Sequence, residues 1–157
     1  MAEIGGFYGV DDCDAGLMCW NVDAETLEGT CAQYCAMEED CDDPSETCSI
    51  SNDGILPLCL PVCDPLAQDC EDGFGCYPSA GDEFVCIREG DPVHVDGLYH
   101  PSCPPGSFAA TLEQMPSCVE GELCCASFCD QNDDVPCGET ASCEPLPSSG
   151  VGYCRTL

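Results

Sequence analysis

Nineteen of the 157 residues are cysteines, and this feature limits most strongly what the chain can fold into. A cysteine share of about 12 % is typical of domains held together by disulfides rather than by a large hydrophobic core. Cysteines at this density do not stay oxidised in the cytosol, so the expected location is secreted, extracellular or at the cell surface. No pair follows the C-x-C or C-x-x-C spacing of zinc and copper sites, so we predict disulfides and no resident cofactor.

The charge of the chain limits its partners. Thirty-one acidic residues face two arginines and no lysine, for a formal net charge of −29. Nucleic acids and anionic membranes are excluded as partners, because both are bound through basic patches. No segment approaches the roughly 20 apolar residues of a membrane span, and residues 1–12 lack the basic and apolar regions of a signal peptide. The expected partner is therefore an extracellular protein of unknown identity, or a second copy of the chain.

The cysteines also define an internal repeat of four cysteines, spaced C-x5–7-C-x5–6-C-x9–10-C. A joint of the form C-x3-C follows the fourth cysteine at Cys31, Cys59 and Cys125. The predicted modules are a partial first module at 1–31, modules at 32–59 and 60–86, a degenerate fourth module with a linker at 87–125, and a fifth at 126–157. The predicted fold class is small and disulfide-rich: an elongated tandem array of short β-hairpin modules with little helix.

Local signals place the secondary structure of these modules. Turn signals at Asp53-Gly54, Gly81-Asp82 and 148–150 predict a β-hairpin between the third and fourth cysteines of each complete module. One short helix is predicted, capped by Ser107 and running through FAATLEQM to Pro116. Because apolar residues are scattered, no large continuous core is expected, and the aromatic side chains are expected to pack on disulfides.

The degenerate module suggests which cysteines pair. Gly106 aligns with Gly16, Ala109 occupies the third cysteine position, and residues 87–102 contain no cysteine at the first position. Positions lost together are expected to bond to each other, so we infer pairing of first with third and of second with fourth. A rival scheme, third with fourth across each hairpin, stays open.

Applied along the chain, this inference predicts nine bridges. They are Cys13–Cys31, Cys35–Cys48, Cys41–Cys59, Cys63–Cys76, Cys70–Cys86, Cys103–Cys125, Cys118–Cys124, Cys129–Cys143 and Cys137–Cys154. The scheme leaves Cys19 over. Its expected partner is a first-position cysteine upstream of Gly5, and the alternative is a thiol that stays reduced or bonds to another molecule.

The segments CDAGLMCWN (13–21), CDPLAQDC (63–70), GCYP (75–78) and ELCCASFCD (122–130) resemble a family of secreted, acidic, cysteine-rich repeat proteins of myxobacteria. The resemblance spans 11–154 and implies secretion but no established activity. Family members tend to carry a signal sequence and further N-terminal copies. More loosely, each module is similar to the cysteine-rich units of Dickkopf-type and EGF-like extracellular proteins.

Few residues are candidates for a metal or catalytic site. The metal candidates are Asp12, Asp14, Asp40, Asp42, Asp69, His94 and His100, and Ca²⁺ is the cofactor alternative that they leave open. The favoured interpretation is tight-turn chemistry and solvated acidic faces for the aspartates, and a solvated loop for the histidines. No catalytic residue is assigned, because no nucleophile motif accompanies the carboxylates.

The sequence therefore predicts a structural, adhesive or binding scaffold outside the cell, not an enzyme. Two other functions stay open: Ca²⁺ binding through acidic turns, and inhibition of a protease through an exposed hairpin loop. Candidate interaction patches are 18–20 and 55–62.

Overall fold

The computed structural model describes residues 2–4, 7–9, 12–23, 25–37, 40–51, 56–79, 83–90, 92–95, 98–101, 103–119, 124–132, 137–146 and 150–156. Contacts divide the chain into two compact units, Met1–Leu60 (unit 1) and Pro61–Leu157 (unit 2). The described residues form short antiparallel strands and no α-helix. This is the small, disulfide-rich β fold that the cysteine content predicts.

The described strands of unit 1 form three two-stranded sheets. The strands are β1 (Ala2–Ile4), β2 (Phe7–Gly9), β3 (Leu17–Trp20), β4 (Thr30–Gln33), β5 (Glu46–Ser51) and β6 (Leu56–Pro61). In the β3–β4 pair, Cys19 lies opposite Cys31.

Unit 2 contains two hairpins and a larger sheet. Its strands are β7 (Phe74–Pro78), β8 (Phe84–Arg88), β9 (Pro92–Val95), β10 (Leu98–Pro101), β11 (Ser107–Ala110), β12 (Cys124–Cys129), β13 (Ala141–Pro145) and β14 (Gly152–Thr156). Strands β7–β8 and β9–β10 form two-stranded sheets, and the four-stranded sheet has the order β11-β12-β14-β13. The fourth and fifth modules therefore share one sheet.

The joints add a further strand contact to three hairpins. The last joint residue pairs with the residue before the next fourth cysteine: Tyr34 with Leu58, Val62 with Val85, and Phe128 with Tyr153. The next residue continues the contact, since Cys35 N–H donates to Pro57 O at 3.2 Å and Cys63 N–H donates to Phe84 O at 3.1 Å. Each joint thus extends the hairpin that follows it.

The helix predicted after Ser107 is wrong. Ser107–Ala110 forms strand β11, and Phe108 lies opposite Ala126 of β12. Phe108 and Ala110 alternate onto a buried face, which is the period of a strand. Pairing with β12 therefore overrides the local helical pattern.

The prediction of a loop around His94 and His100 is also wrong, because the backbone there forms the antiparallel strand pair β9–β10. Valine, leucine and tyrosine supply strand propensity on both sides of Asp96-Gly97. The turn signals at Asp53-Gly54, at Gly81-Asp82 and in 148–149 lie outside the described residues, although strands flank all three.

Unit 2 has an aromatic core that the scattered apolar residues did not predict. Phe128 stacks on Phe108 with ring centroids 5.3 Å apart, and meets Phe84 edge-on at 5.4 Å. Phe108 meets Tyr153 edge-on at 5.9 Å. The cluster also contains Cys76, Ala110, Ala126 and Val151, and Cys63 and Cys70 pack against it. The aromatic side chains of this cluster thus pack on each other as well as on bridges.

Candidate functional site

The nine bridges join the same pairs of cysteines that the repeat predicts. The third and fourth cysteines of a module lie directly opposite each other, as Cys76 and Cys86 do, yet they bond elsewhere. Ala109 lies opposite Cys125 in the same register, so alanine occupies the third cysteine position of the fourth module. None of the nine bridges includes Cys19, whose Sγ lies 2.7 Å from where a Cβ on Gly29 would be.

The two bridges of a complete module contact each other. Ligand atoms of Cys35, Cys41 and Cys59 lie within 4.8 Å of one another, and the same holds for two further groups, Cys63/Cys70/Cys86 and Cys129/Cys137/Cys143. Such groups resemble metal sites in position, but metals bind thiolates and these sulfurs are bonded to sulfur. Their chemical role is to crosslink, and the sulfurs of the two bridges lie close together.

A tight turn precedes the third cysteine position in both units. Gly16, Gly73 and Gly106 have φ values of 94°, 85° and 81°, which favour glycine. Their carbonyls accept hydrogen bonds from Tyr34, Glu89 and Phe128, at 3.2, 2.9 and 2.9 Å. This turn ties the start of each hairpin to the residue three positions after its fourth cysteine.

Two of the metal-candidate aspartates use carboxylate oxygens to hold turns. Asp40 Oδ2 accepts the N–H groups of Ala36 at 2.8 Å and Met37 at 3.0 Å. These bonds favour the charged form and lower the pKa of Asp40 from its ordinary value of 3.8. Asp69 Oδ1 accepts the N–H of Asp64 at 2.8 Å. Tight-turn chemistry is thus observed for both.

The other metal candidates are not assembled into a ligand cluster among the side chains that the structure describes. Asp12, Asp14 and Asp42 are exposed. His94 lies opposite Tyr99 and His100 opposite Val93, so the two histidines are close in register on adjacent strands. Their side chains lie outside the described residues.

Two carboxyls near the start of β5 have shifted pKa values. The hydroxyl of Ser45 donates to Asp43 Oδ1 at 2.6 Å and its backbone N–H donates at 2.9 Å, which lowers the pKa of Asp43. Burial, and then the charge of Asp43, raise the pKa of Glu46. The charge on Glu46 therefore opposes folding at neutral pH, and acidification removes this penalty.

The loop between β3 and β4 (the 21–29 loop) was missed by the sequence reasoning. Asp23 Oδ1 accepts the N–H groups of Glu25 and Thr26 at 2.8 Å each, and the backbone of Asp23 bonds to Leu27 and Glu28 at 2.8 Å each. Leu27 has a φ of 58° and is 56 % exposed. The sequence signal that could have indicated this loop is Asp23 itself, because an aspartate side chain often accepts hydrogen bonds from the backbone N–H groups two and three residues later.

This loop is a better candidate contact surface than the patches predicted at 18–20 and 55–62. Met18 and Trp20 are half-buried, and Leu58 and Leu60 are buried, so that Val62, at 44 %, is the exposed large apolar side chain described in these two patches. Val22 and Leu27 are 47 % and 56 % exposed on the 21–29 loop. A loop held by several hydrogen bonds loses little entropy on binding a partner.

Comparison with known proteins finds no matching family model, no similar curated protein and no similar solved structure. In the described part of the chain, no helix combines the length and apolar character needed to cross a membrane.

Proposed function

We propose that the chain is an extracellular, non-catalytic binding scaffold, in which disulfide-stapled hairpins hold exposed loops in fixed shapes. The observation that carries the proposal is the 21–29 loop. Four hydrogen bonds of 2.8 Å join Asp23 to residues 25–28, and the bridge Cys13–Cys31 crosslinks the hairpin that presents the loop. The disulfide content supports a location outside the cytosol, as does the resemblance to secreted cysteine-rich proteins.

The chemistry of the loop indicates the kind of partner. Val22 and Leu27 present apolar surface, and Glu25 and Glu28 are exposed beside them. We expect the partner to present an apolar pocket for Val22 and Leu27, with basic residues at its rim opposite Glu25 and Glu28. Such electrostatic complementarity speeds association and disfavours wrong partners.

Binding of labelled protein to the surface of the cells that produce it tests this proposal. We expect saturable binding that unlabelled protein competes away, and Leu27→Asn to weaken it by about tenfold, a loss of about 1.4 kcal/mol. Asparagine tolerates positive φ, so this variant removes the apolar side chain and keeps the backbone. Leu66→Asn is the matched control, because Leu66 is 46 % exposed in unit 2. Equal binding of the two variants would contradict the role of the loop.

A second candidate, protease inhibition, is favoured by the same loop, since a rigid exposed loop with a leucine suits a protease with an apolar specificity pocket. Titration of chymotrypsin-like and elastase-like proteases tests it. We expect inhibition that Leu27→Asn removes, and no inhibition at micromolar protein would exclude this candidate.

Calcium binding is the cofactor alternative. Comparison of the melting temperature in EDTA and in millimolar Ca²⁺ tests it, because a ligand that binds only the folded state raises the melting temperature. An unchanged melting temperature would leave this alternative without support.

A further inference from the structure

The bridge Cys118–Cys124 differs from the other eight in its place in the chain. It closes a separation of 6 residues, whereas the others close separations of 13 to 22. It also lies outside the four-cysteine pattern, because the fourth module keeps only its second-to-fourth bridge, Cys103–Cys125. Short loops contribute least to stability through chain entropy.

This bridge anchors a segment without strand pairing. Residues 111–118 (the strap) follow β11, and the backbone bonds from Met115 to Thr111 and from Cys118 to Met115 lie inside it. Its described contacts with the rest of unit 2 include Met115 packing on the aromatic cluster and a 2.8 Å hydrogen bond between the hydroxyls of Ser117 and Thr156. The bridge joins the C-terminal end of the strap to the first residue of β12.

The strap lies against the core of unit 2. Cys124, Ala126 and Phe128 alternate along β12, and Ala126 and Phe128 are 1 % and 6 % exposed. Cys124 is therefore on the core side of the strand, opposite Ala110, which is 3 % exposed. Release of the strap removes Met115 from this apolar surface.

The bridge lacks the neighbouring bridge that each complete module has. Its two cysteines are half-buried, as are those of Cys70–Cys86 and Cys137–Cys154, but among the described residues neither Cys118 nor Cys124 belongs to a group of three sulfurs within 4.8 Å of one another. In the third module Cys76 is fully buried, and sulfurs of its two bridges lie within 4.8 Å of one another. Thiol–disulfide exchange requires access of a thiolate to sulfur along the S–S axis, so mutual packing slows it.

We propose that Cys118–Cys124 is a reducible latch: its reduction frees the strap and uncovers part of the aromatic cluster while the bridges of the complete modules stay closed. The reductant is an external dithiol. One of its thiolates attacks a sulfur of the bridge and forms a mixed disulfide, and its second thiol displaces the protein. The products are two cysteine thiols and the oxidised dithiol, a transfer of two electrons and two protons.

Brief reduction of the native full-length protein tests the order of opening. The protein is treated with graded dithiothreitol, trapped with N-ethylmaleimide, and then fully reduced, alkylated with iodoacetamide and mapped by mass spectrometry. We expect maleimide on Cys118 and Cys124 about tenfold sooner than on Cys63 and Cys76. Labelling of Cys63 and Cys76 as early as Cys118 and Cys124 would overturn the proposal.

Cleavage after Glu113, which is exposed in the strap, reports the release. With a glutamate-specific protease, we expect cleavage there to become about tenfold faster once Cys118 and Cys124 are labelled. The variant Cys118→Ala/Cys124→Ala should be cleaved at the fast rate without reductant, and Cys63→Ala/Cys76→Ala is the matched control. Unchanged cleavage after labelling would show that the bridge does not hold the strap, and this measurement uses the wild-type chain, so it stands even if a variant fails to fold.

Discussion

The two units use the same module but are stabilised differently. In unit 1 the buried apolar residues that the structure describes are Ala32, Cys35, Leu58, Cys59 and Leu60, with no aromatic ring among them. In unit 2 the described core has four rings, which are linked by three ring–ring contacts. The crosslinked hairpins of unit 1 thus have no described aromatic core, whereas the fourth module, which lacks two of its cysteines, contributes Phe108 to the aromatic cluster of unit 2.

The joint position has different side-chain environments: it is exposed at Tyr34 of unit 1 and at Val62 of unit 2, where Val62 is 44 % exposed, and it is buried at Phe128 of unit 2. Tyr34 pairs with Leu58 in unit 1 and is 45 % exposed, whereas Phe128 pairs with Tyr153 in unit 2 and is 6 % exposed. The backbone contact is shared, and the side-chain environment differs.

The largest effect is expected from this position. Phe128→Ala removes the ring that contacts both Phe84 and Phe108, and we expect it to destabilise unit 2 by about 3–5 kcal/mol. Tyr34→Ala is the matched variant, and we expect it to cost less than about 1 kcal/mol in unit 1. Denaturant unfolding followed by amide hydrogen exchange measures both, and equal losses of stability would show that burial of Phe128 adds nothing beyond the backbone contact.

Removal of equivalent bridges should show the next largest effect. Cys35–Cys48 in unit 1 and Cys63–Cys76 in unit 2 each close a separation of 13 residues, so each should contribute about 3 kcal/mol. After paired replacement by alanine, which adds no polar group beside the cluster, we expect unit 1 to unfold and unit 2 to stay folded, because the four rings of its core remain. Amide exchange in β5 and β7 measures this, and fast exchange in β7 would contradict it.

A smaller and equal effect is expected at the turn that both units share. Gly16 and Gly73 have positive φ values and open space where a Cβ would lie, so alanine is opposed by backbone conformation alone. We expect Gly16→Ala and Gly73→Ala to cost about 1–2 kcal/mol each. Ala15→Ser, at an exposed neighbour, is the control. Unequal losses in denaturant melts would show that the turn is stabilised differently in the two units.

The smallest effect concerns the acidic turns and pH. Because hydrogen bonds from Ala36 and Met37 lower the pKa of Asp40, its stabilisation is complete above its unfolded pKa and is lost as pH falls through the folded pKa. We expect Asp40→Asn to lower the melting temperature of unit 1 slightly at pH 7, and the difference to vanish well below pH 3.8.

Asp69→Asn is the matched variant in unit 2. Asp69 also precedes a second cysteine, but the structure describes a single accepted N–H there, from Asp64. We expect a smaller loss, and a pH-independent difference for Asp40→Asn would count against the hydrogen-bonded charge as its source.

The cysteine repeat and its turn signals predicted the hairpins, and the degenerate fourth module favoured one of two pairing schemes for the bridges. Strand pairing is local within each hairpin, and the loss of the first and third cysteines together in the fourth module pointed to their bonding. For the candidate site, the sequence indicated the turn roles of Asp40 and Asp69. It did not single out Leu27, whose exposure and positive φ depend on the bonds made by Asp23.

Composition and residues close in the chain were sufficient to predict the crosslinked β-hairpin class, the acidic character and the turn chemistry. The strand at Ser107–Ala110 and the core of four rings from three modules became evident from the folded chain. Both depend on partners distant in sequence, since Phe108 pairs with Ala126 and Phe128 with Tyr153. Burial against partners distant in sequence outweighs local propensity, and the spacing of residues along the chain does not indicate which distant residues will be in contact.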